Sequence, residues 1–172
     1  MTSYTDLSPD SKVWVYLSGR ELSNTETESL TNDLLNFTSN WSSHGEPVKG
    51  HVKLLENRFI VFFADVQNDT MCGRAIDAIL RFIKELEIKY SLSLLDRNKV
   101  AFLSGEGKVV VCSLSELEKL AEGGIITSET LFFNNLVETK DAFEKNWKTP
   151  FKDSWQKKLV ANSPAISAGL IA

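Results

Sequence analysis

Residues 58–65, RFIVFFAD, constrain this chain more than any other stretch. Successive side chains of a strand point to opposite faces of its sheet. Phe59, Val61 and Phe63 therefore point one way, while Ile60 and Phe62 point the other. KVWVYLSG repeats the pattern, with Val13, Val15 and Leu17 opposing Trp14 and Tyr16. A sheet with helices on one face and water on the other alternates apolar with polar residues. These strands are apolar on both faces, so the sheet needs cover on both.

The segments between them read as helices and hairpins. In SNTETESLTNDLLNFTSNWSSHGEP, Ser23 and Glu26 form a capping-box signature. Leu30, Leu34, Phe37 and Trp41 then recur at helical spacing, and His44-Gly45 with Pro47 marks the stop. VKGHVKLL and RFIVFFAD flank a short turn and read as a β-hairpin. A second helix follows Asp69 or Thr70, with Ile76, Ile79, Ile83 and Leu86 as its apolar face. KVAFL and KVVVC, joined by SGEG, read as a second hairpin.

The resulting order, β-α-β-β-α-β, predicts an α+β fold with a ferredoxin-like core over residues 12–112. Residues 1–11 are polar and read as a flexible N-terminus. They lack the basic and apolar regions of a secretory signal. Residues 113–160 form a C-terminal α/β extension expected to cover the sheet. They supply SLSELEKLAEGG, with Ser113 and Glu116 as a second capping box, then the strand TLFF and two short helices. Phe132, Phe133, Phe143, Trp147, Phe151 and Trp155 make this extension rich in aromatics. A second copy of the chain, pairing as a homodimer, is the alternative cover. Residues 161–172 read as a mobile tail.

Net charge is −4, so no broad positive field exists to hold a phosphate backbone, and nucleic acid is disfavoured as a partner. Residues 140–160 hold six lysines against Asp141, Glu144 and Asp153, which reads as a solvated face. No apolar run approaches the roughly 20 residues that span a bilayer. The two cysteines lie in different elements, which points to free thiols and a cytoplasmic setting.

Several chemistries fail on spacing. Gly107-Lys108 resembles the end of a phosphate-binding loop, but Val109 replaces the required hydroxyl residue and a strand follows instead of a helix. His44, His51, Cys72 and Cys112 show no metal-ligand spacing, so no metal site and no cofactor are expected. Cys72 opens the second helix, where a thiolate gains from the helix dipole and Arg74, with His44 as the better base. Cys72 also lies four residues before Ile76 and seven before Ile79, and that placement favours packing over catalysis. Thr70, Gly73 and Arg74 could offer a hydroxyl, N–H groups and a guanidinium to a small anion. Asp65 and Asp77 are the carboxylates nearest this helix start. Thr70, Cys72, Gly73, Arg74, Asp77 and His44 are therefore the candidate ligand-binding residues, with none assigned as catalytic.

VWVYLSGRELS, NWSSHG, NRFIVFFAD, CGRAIDAILRFIKELE, SLSELEKLAEGGI and LFFNNLVETKDAFEKNWKTPFKDSWQKKL together resemble a family of small bacterial proteins. Its members often carry the label "ABC transporter ATPase". The likeness runs from Val13 to Leu159. The chain departs from that label in having no phosphate-binding loop and no ABC signature, and the resemblance implies no catalytic residue. SLSELEKLAEGGIITSETLFF is also similar to GYF-like domains, which are associated with protein–peptide contacts, although the Gly-Tyr-Phe signature is absent. The expectation is a non-catalytic binding or protein-interaction protein. The alternative is a small-molecule or anion-binding protein, or an enzyme, using the start of the helix at residues 70–90.

Overall fold

The computed structural model describes residues 2–43, 45–65 and 73–161, with the side chains of 73, 74 and 161 left aside. The fold is α+β. The chain runs through β1 (Lys12–Leu17), α1 (Asn24–Asn40), β2 (Ser42–Ser43), β3 (Glu46–Pro47), β4 (Gly50–Leu55), β5 (Phe59–Ala64) and α2 (Gly73–Tyr90). It continues through β6 (Lys99–Leu103), β7 (Val109–Ser113), α3 (Leu117–Glu122), β8 (Leu131–Phe133), α4 (Lys140–Asn146), β9 (Lys148–Pro150) and α5 (Gln156–Ala161). By contacts it divides into two compact units, Met1–Asp96 with Asn135–Lys145 and Arg97–Asn134 with Asn146–Ala172. The division falls before β6 rather than after Cys112, and residues 135–145 return to the first unit.

The first unit is built on a three-stranded antiparallel sheet in the order β1-β5-β4. Its register runs from Lys12 opposite Ala64 to Leu17 opposite Phe59, and from Gly50 opposite Ala64 to Leu55 opposite Phe59. β1 and β4 are thus parallel to each other, joined by α1, with β5 between them. This is the split βαβ arrangement. Glu56 and Asn57 both have positive φ, 52° and 48°, and the Arg58 N–H donates to the Leu55 carbonyl at 3.0 Å. Two successive positive φ angles mark the tight hairpin turn whose twist suits its strands.

A ferredoxin-like sheet would have a fourth strand beside β1, expected as Lys99–Leu103. That strand pairs elsewhere. The edge of β1 is met instead by residues around Thr139: Val13 N–H donates to the Glu138 carbonyl (3.0 Å) and Lys140 N–H to the Ser11 carbonyl (2.9 Å). The pattern of β6 could not reveal this choice, because an apolar strand suits either sheet and only tertiary packing decides.

All six residues of β5 are buried, as its two apolar faces require. On the helical face, Phe62 packs edge-on against Phe37 of α1, at 5.7 Å between ring centres. α1 begins at its capping box: the Glu26 N–H donates to Ser23 Oγ, and the Ser23 N–H to the Glu26 carboxylate. Leu30, Leu34 and Trp41 are buried as the spacing predicts. In α2 the buried stripe is Ala75, Ile79, Ile83 and Leu86, whereas Ile76 is 42% exposed. Ile76 lies beside this stripe rather than on it, because its position is about 100° of helix rotation from Ala75.

The other face of the sheet is covered by two short elements. Phe143 of α4 meets Phe63 edge-on at 5.2 Å, and Tyr4 meets it at 5.0 Å. Tyr4 lies in a 3-10 turn, Tyr4–Asp6, and Leu7 and Ser11 are buried. The N-terminal residues expected to be flexible therefore act as part of the cover.

The second unit holds a four-stranded sheet in the order β7-β6-β8-β9. β6 and β7 form the predicted hairpin, with Gly107 at φ 75° in its turn. Val100, Phe102, Cys112, Leu117, Ile126, Phe132, Phe151 and Val160 make its core. Phe132 lies between Phe102 and Phe151, at 5.3 and 5.2 Å. Phe133 stacks edge-on with Trp147 at 4.9 Å. Aromatic burial of this kind lets a small unit gather enough apolar area to hold together.

Candidate functional site: a groove between two helices

Of the residues proposed from the sequence, His44, Thr70 and Cys72 lie outside the described residues. Gly73 and Arg74 open α2. Asp77 is exposed one turn later, and Asp65 is buried at the end of β5, 4.0 Å from Lys49 Nζ. Among the described residues no cluster of His, Cys, Asp or Glu could hold a metal ion. Cys112 is a free, buried thiol whose pKa burial pushes up to about 11, with Glu116 adding to the effect. A thiol held that high is protonated at neutral pH and is a poor nucleophile.

A groove of about 370 Å³ runs between α1 and α2 within the first unit. Asp33, Asn36, Phe37 and Asn40 line it from α1, and Phe82, Glu85, Leu86 and Lys89 from α2. Both sets follow i, i+3, i+4, i+7 spacing, so each is one continuous stripe of its helix. The floor is an aromatic pair. Phe37 and Phe82 stack with ring centres 4.3 Å apart and planes 7° from parallel. Phe37 in turn rests on Trp41 at 5.7 Å. Trp41 is fixed from behind by its indole N–H, which donates to the Ala75 carbonyl at 3.1 Å.

The rim is polar. Lys89 Nζ donates to both Asp33 oxygens, at 2.9 and 2.7 Å, and the Tyr90 hydroxyl donates to Asp33 at 2.6 Å. Burial works against ionising Asp33, but the Lys89 and Tyr90 hydrogen bonds outweigh it and hold the carboxyl below its ordinary value. Burial, followed by the Asp33 hydrogen bond, raises the Tyr90 hydroxyl. Asn40 Nδ2 donates to the Asn36 carbonyl at 2.8 Å. Lys89 and Asp33 neutralise one another, whereas Glu85 is exposed and has no ion pair among the described residues. The groove thus sets a stacked aromatic pair beside the Asp33–Lys89 ion pair and the exposed Glu85 carboxylate. Such a surface suits a planar or cationic group.

Sequence reasoning missed this groove because Phe37 reads as an ordinary core position of an amphipathic helix. The usable signal is Phe82, an aromatic residue beside the stripe that Ile79, Ile83 and Leu86 define.

A second polar cluster lies on the opposite face of the same sheet. Lys53 Nζ sits 3.1 Å above the Tyr4 ring centre, and Lys140 Nζ lies 4.6 Å from it. Lys140 is buried and donates to the Leu7 carbonyl at 2.8 Å. His51 Nδ1 lies 3.2 Å from the Thr2 carbonyl, and burial, the largest influence, depresses its pKa. These groups are occupied in holding the N-terminal turn against the sheet. No family model matches the chain, and no curated protein or solved structure is significantly similar to it.

Proposed function

We propose that the protein is a non-catalytic cytoplasmic binding or protein-interaction protein, and that the α1–α2 groove is its contact surface. The stacked Phe37–Phe82 pair beside the exposed Glu85 carries this reading. An aromatic or cationic side chain of a partner gains ring contact and charge attraction there together. Phe132 and Trp147 are buried and Trp155 is half-buried, so the aromatics late in the chain do not provide such a surface. The GYF-like likeness of residues 113–133, with its association to protein–peptide contacts, supports an interaction role. The anion-binding reading rests on Thr70, Gly73 and Arg74; Thr70 lies outside the described residues, and no observation adds to that reading.

Phenethylammonium is a suitable probe, since it joins an aromatic ring to a cation. Titrated into the folded protein, it should shift NMR signals of Phe37, Phe82 and Glu85. Phe82→Ala should abolish those shifts, and Glu85→Gln should weaken them. Shifts that are absent, or that persist in Phe82→Ala, would remove the groove as the contact surface.

A further inference from the structure

The N-terminal turn is held on the sheet through a histidine. The ring of Tyr4 leans on that of His51 in β4, with centres 5.6 Å apart and planes 54° from parallel. The Thr2 carbonyl lies 3.2 Å from His51 Nδ1. A carbonyl oxygen only accepts, so Nδ1 carries the proton of the neutral ring. A second proton must go to Nε2, which has no hydrogen-bond partner among the described residues.

That second proton would enter a cationic setting. Lys53 follows His51 on the same face of β4. Its ammonium and that of Lys140 both lie against the Tyr4 ring. From α4, Lys140 and Glu144 face the cluster, 4.0 Å apart at their closest, while Asp141 is paired with Lys145. From β5 the register partner of His51 is Phe63, and the Asp6 carboxylate of the turn is exposed. Two ammonium groups thus share the Glu144 carboxylate, and an imidazolium would be a third cation. Burial is the largest influence holding the His51 pKa below its ordinary 6.5; the Thr2 hydrogen bond opposes it and Lys53 adds to it. A depressed value favours the closed turn fully above about 6.5, and that preference is lost as pH falls through the folded value.

The turn can leave without breaking a strand ladder, because residues 2–6 belong to no strand. The chain behind it is fixed. Leu7 is buried and its carbonyl accepts from Lys140 Nζ at 2.8 Å, and the Pro9 carbonyl accepts from the Asp141 N–H at 2.9 Å.

We infer that residues 2–6 form an acid-released strap, in which protonation of His51 detaches Tyr4 from the sheet and uncovers Phe63. The strap lies on the opposite face of the sheet from the α1–α2 groove, and its release does not depend on that groove.

The test is an NMR titration of the full chain from about pH 7.5 to about pH 5, across the ordinary histidine range. It follows the His51 ring and the Lys53 ε-methylene protons, which the Tyr4 ring current shifts upfield while the strap is closed. The upfield shift should disappear as His51 titrates, with a midpoint below 6.5. The ratio of open to closed strap should change by at most about tenfold per pH unit, the limit for one proton. His51→Gln keeps a donor for the Thr2 carbonyl and takes up no proton in this range, so its upfield shift should persist throughout. Tyr4→Ala uncovers His51 and should move the midpoint up toward 6.5. If His51→Gln fails to fold, the coincidence of the two titrations in the unaltered chain decides. Lys53 signals that stay upfield while His51 titrates overturn the strap. So does a His51 that remains neutral throughout, or one whose midpoint is 6.5 or higher. Release that persists in folded His51→Gln assigns the trigger to another group and overturns it as well.

Discussion

The Tyr4 hydroxyl donates to Glu144 Oε1 at 2.9 Å, joining the N-terminal turn to α4 across 140 residues of sequence. The Tyr4 ring also sits under Lys53 and against Phe63. Tyr4→Phe keeps the ring and should cost about 1 kcal/mol or less. Tyr4→Ala also removes the packing and the cation–π contact and should cost about 2 kcal/mol. Chemical denaturation of the three proteins separates these outcomes. Equal losses in both variants would show that the hydroxyl, not the ring, holds the clasp.

The same residue gives an alkaline signature. Burial, then the Glu144 hydrogen bond, raises the Tyr4 hydroxyl well above its ordinary value of 10.0. A raised folded-state pKa means that the native state keeps a proton the unfolded chain releases. The contribution is complete below a pH of about 10, the unfolded value, and is lost as pH rises toward the folded value. Stability should therefore fall with pH above that point. Tyr4→Phe should flatten the fall in part, because Tyr90 is raised as well.

Gly50 lies where a side chain cannot go. A Cβ there would stand 2.5 and 2.7 Å from Trp41 ring carbons and 3.3 Å from the Phe63 carbonyl. Trp41 is buried and hydrogen-bonded to Ala75, so it has little freedom to withdraw. Gly50→Ala should destabilise by about 1–3 kcal/mol through overpacking. A Trp41→Phe background, with a smaller ring and no such bond, should absorb part of that loss in thermal melts. An unchanged melting temperature for Gly50→Ala alone would contradict the close approach.

Much of the local structure was legible because short-range chemistry decides it. Ser23 with Glu26 marks the start of α1, and Glu56-Asn57 turns β4 into β5. Pairing between distant segments was not legible. β6 is apolar in either sheet, and nothing in its five residues reports that residues around Thr139 would reach β1 first. The two-faced pattern of β5 did show that cover was needed, and Phe143 of α4 provides part of it. The second part, Tyr4, sits in a stretch whose polar composition reads as solvent-exposed. The groove was hidden for a related reason: a half-buried Phe82 and a fully buried one look alike in the letters.

The phase of α2 can be tested with two isoleucines five residues apart. Ile83 is fully buried, whereas Ile88 is 82% exposed. Ile83→Ala should cost about 2–4 kcal/mol through lost burial and a residual cavity. Ile88→Ser should stay within about 0.5 kcal/mol of the unaltered chain. Urea unfolding of both variants is sufficient. A large loss for Ile88→Ser would mean that this side of α2 is covered in solution.

Glu26 provides an acid-side test of the α1 cap. Its carboxylate accepts from Arg20 Nη2 at 2.6 Å and Nη1 at 3.0 Å, and from the Ser23 N–H at 2.9 Å. The Arg20 hydrogen bonds, followed by that of Ser23, lower its pKa from 4.5 to about 2. A lowered folded-state pKa means that the unfolded chain takes up the proton first as pH drops. The stabilising contribution is therefore present above pH 4.5 and is lost as pH falls through about 2. Glu26→Gln should show a weaker loss of melting temperature across that window than the unaltered chain. A carbon-detected NMR titration should place the Glu26 midpoint near 2, and Arg20→Ala should move it upward while the Ser23 bond keeps it below 4.5. A midpoint already at 4.5 in the unaltered protein would show that Arg20 does not engage the cap in solution.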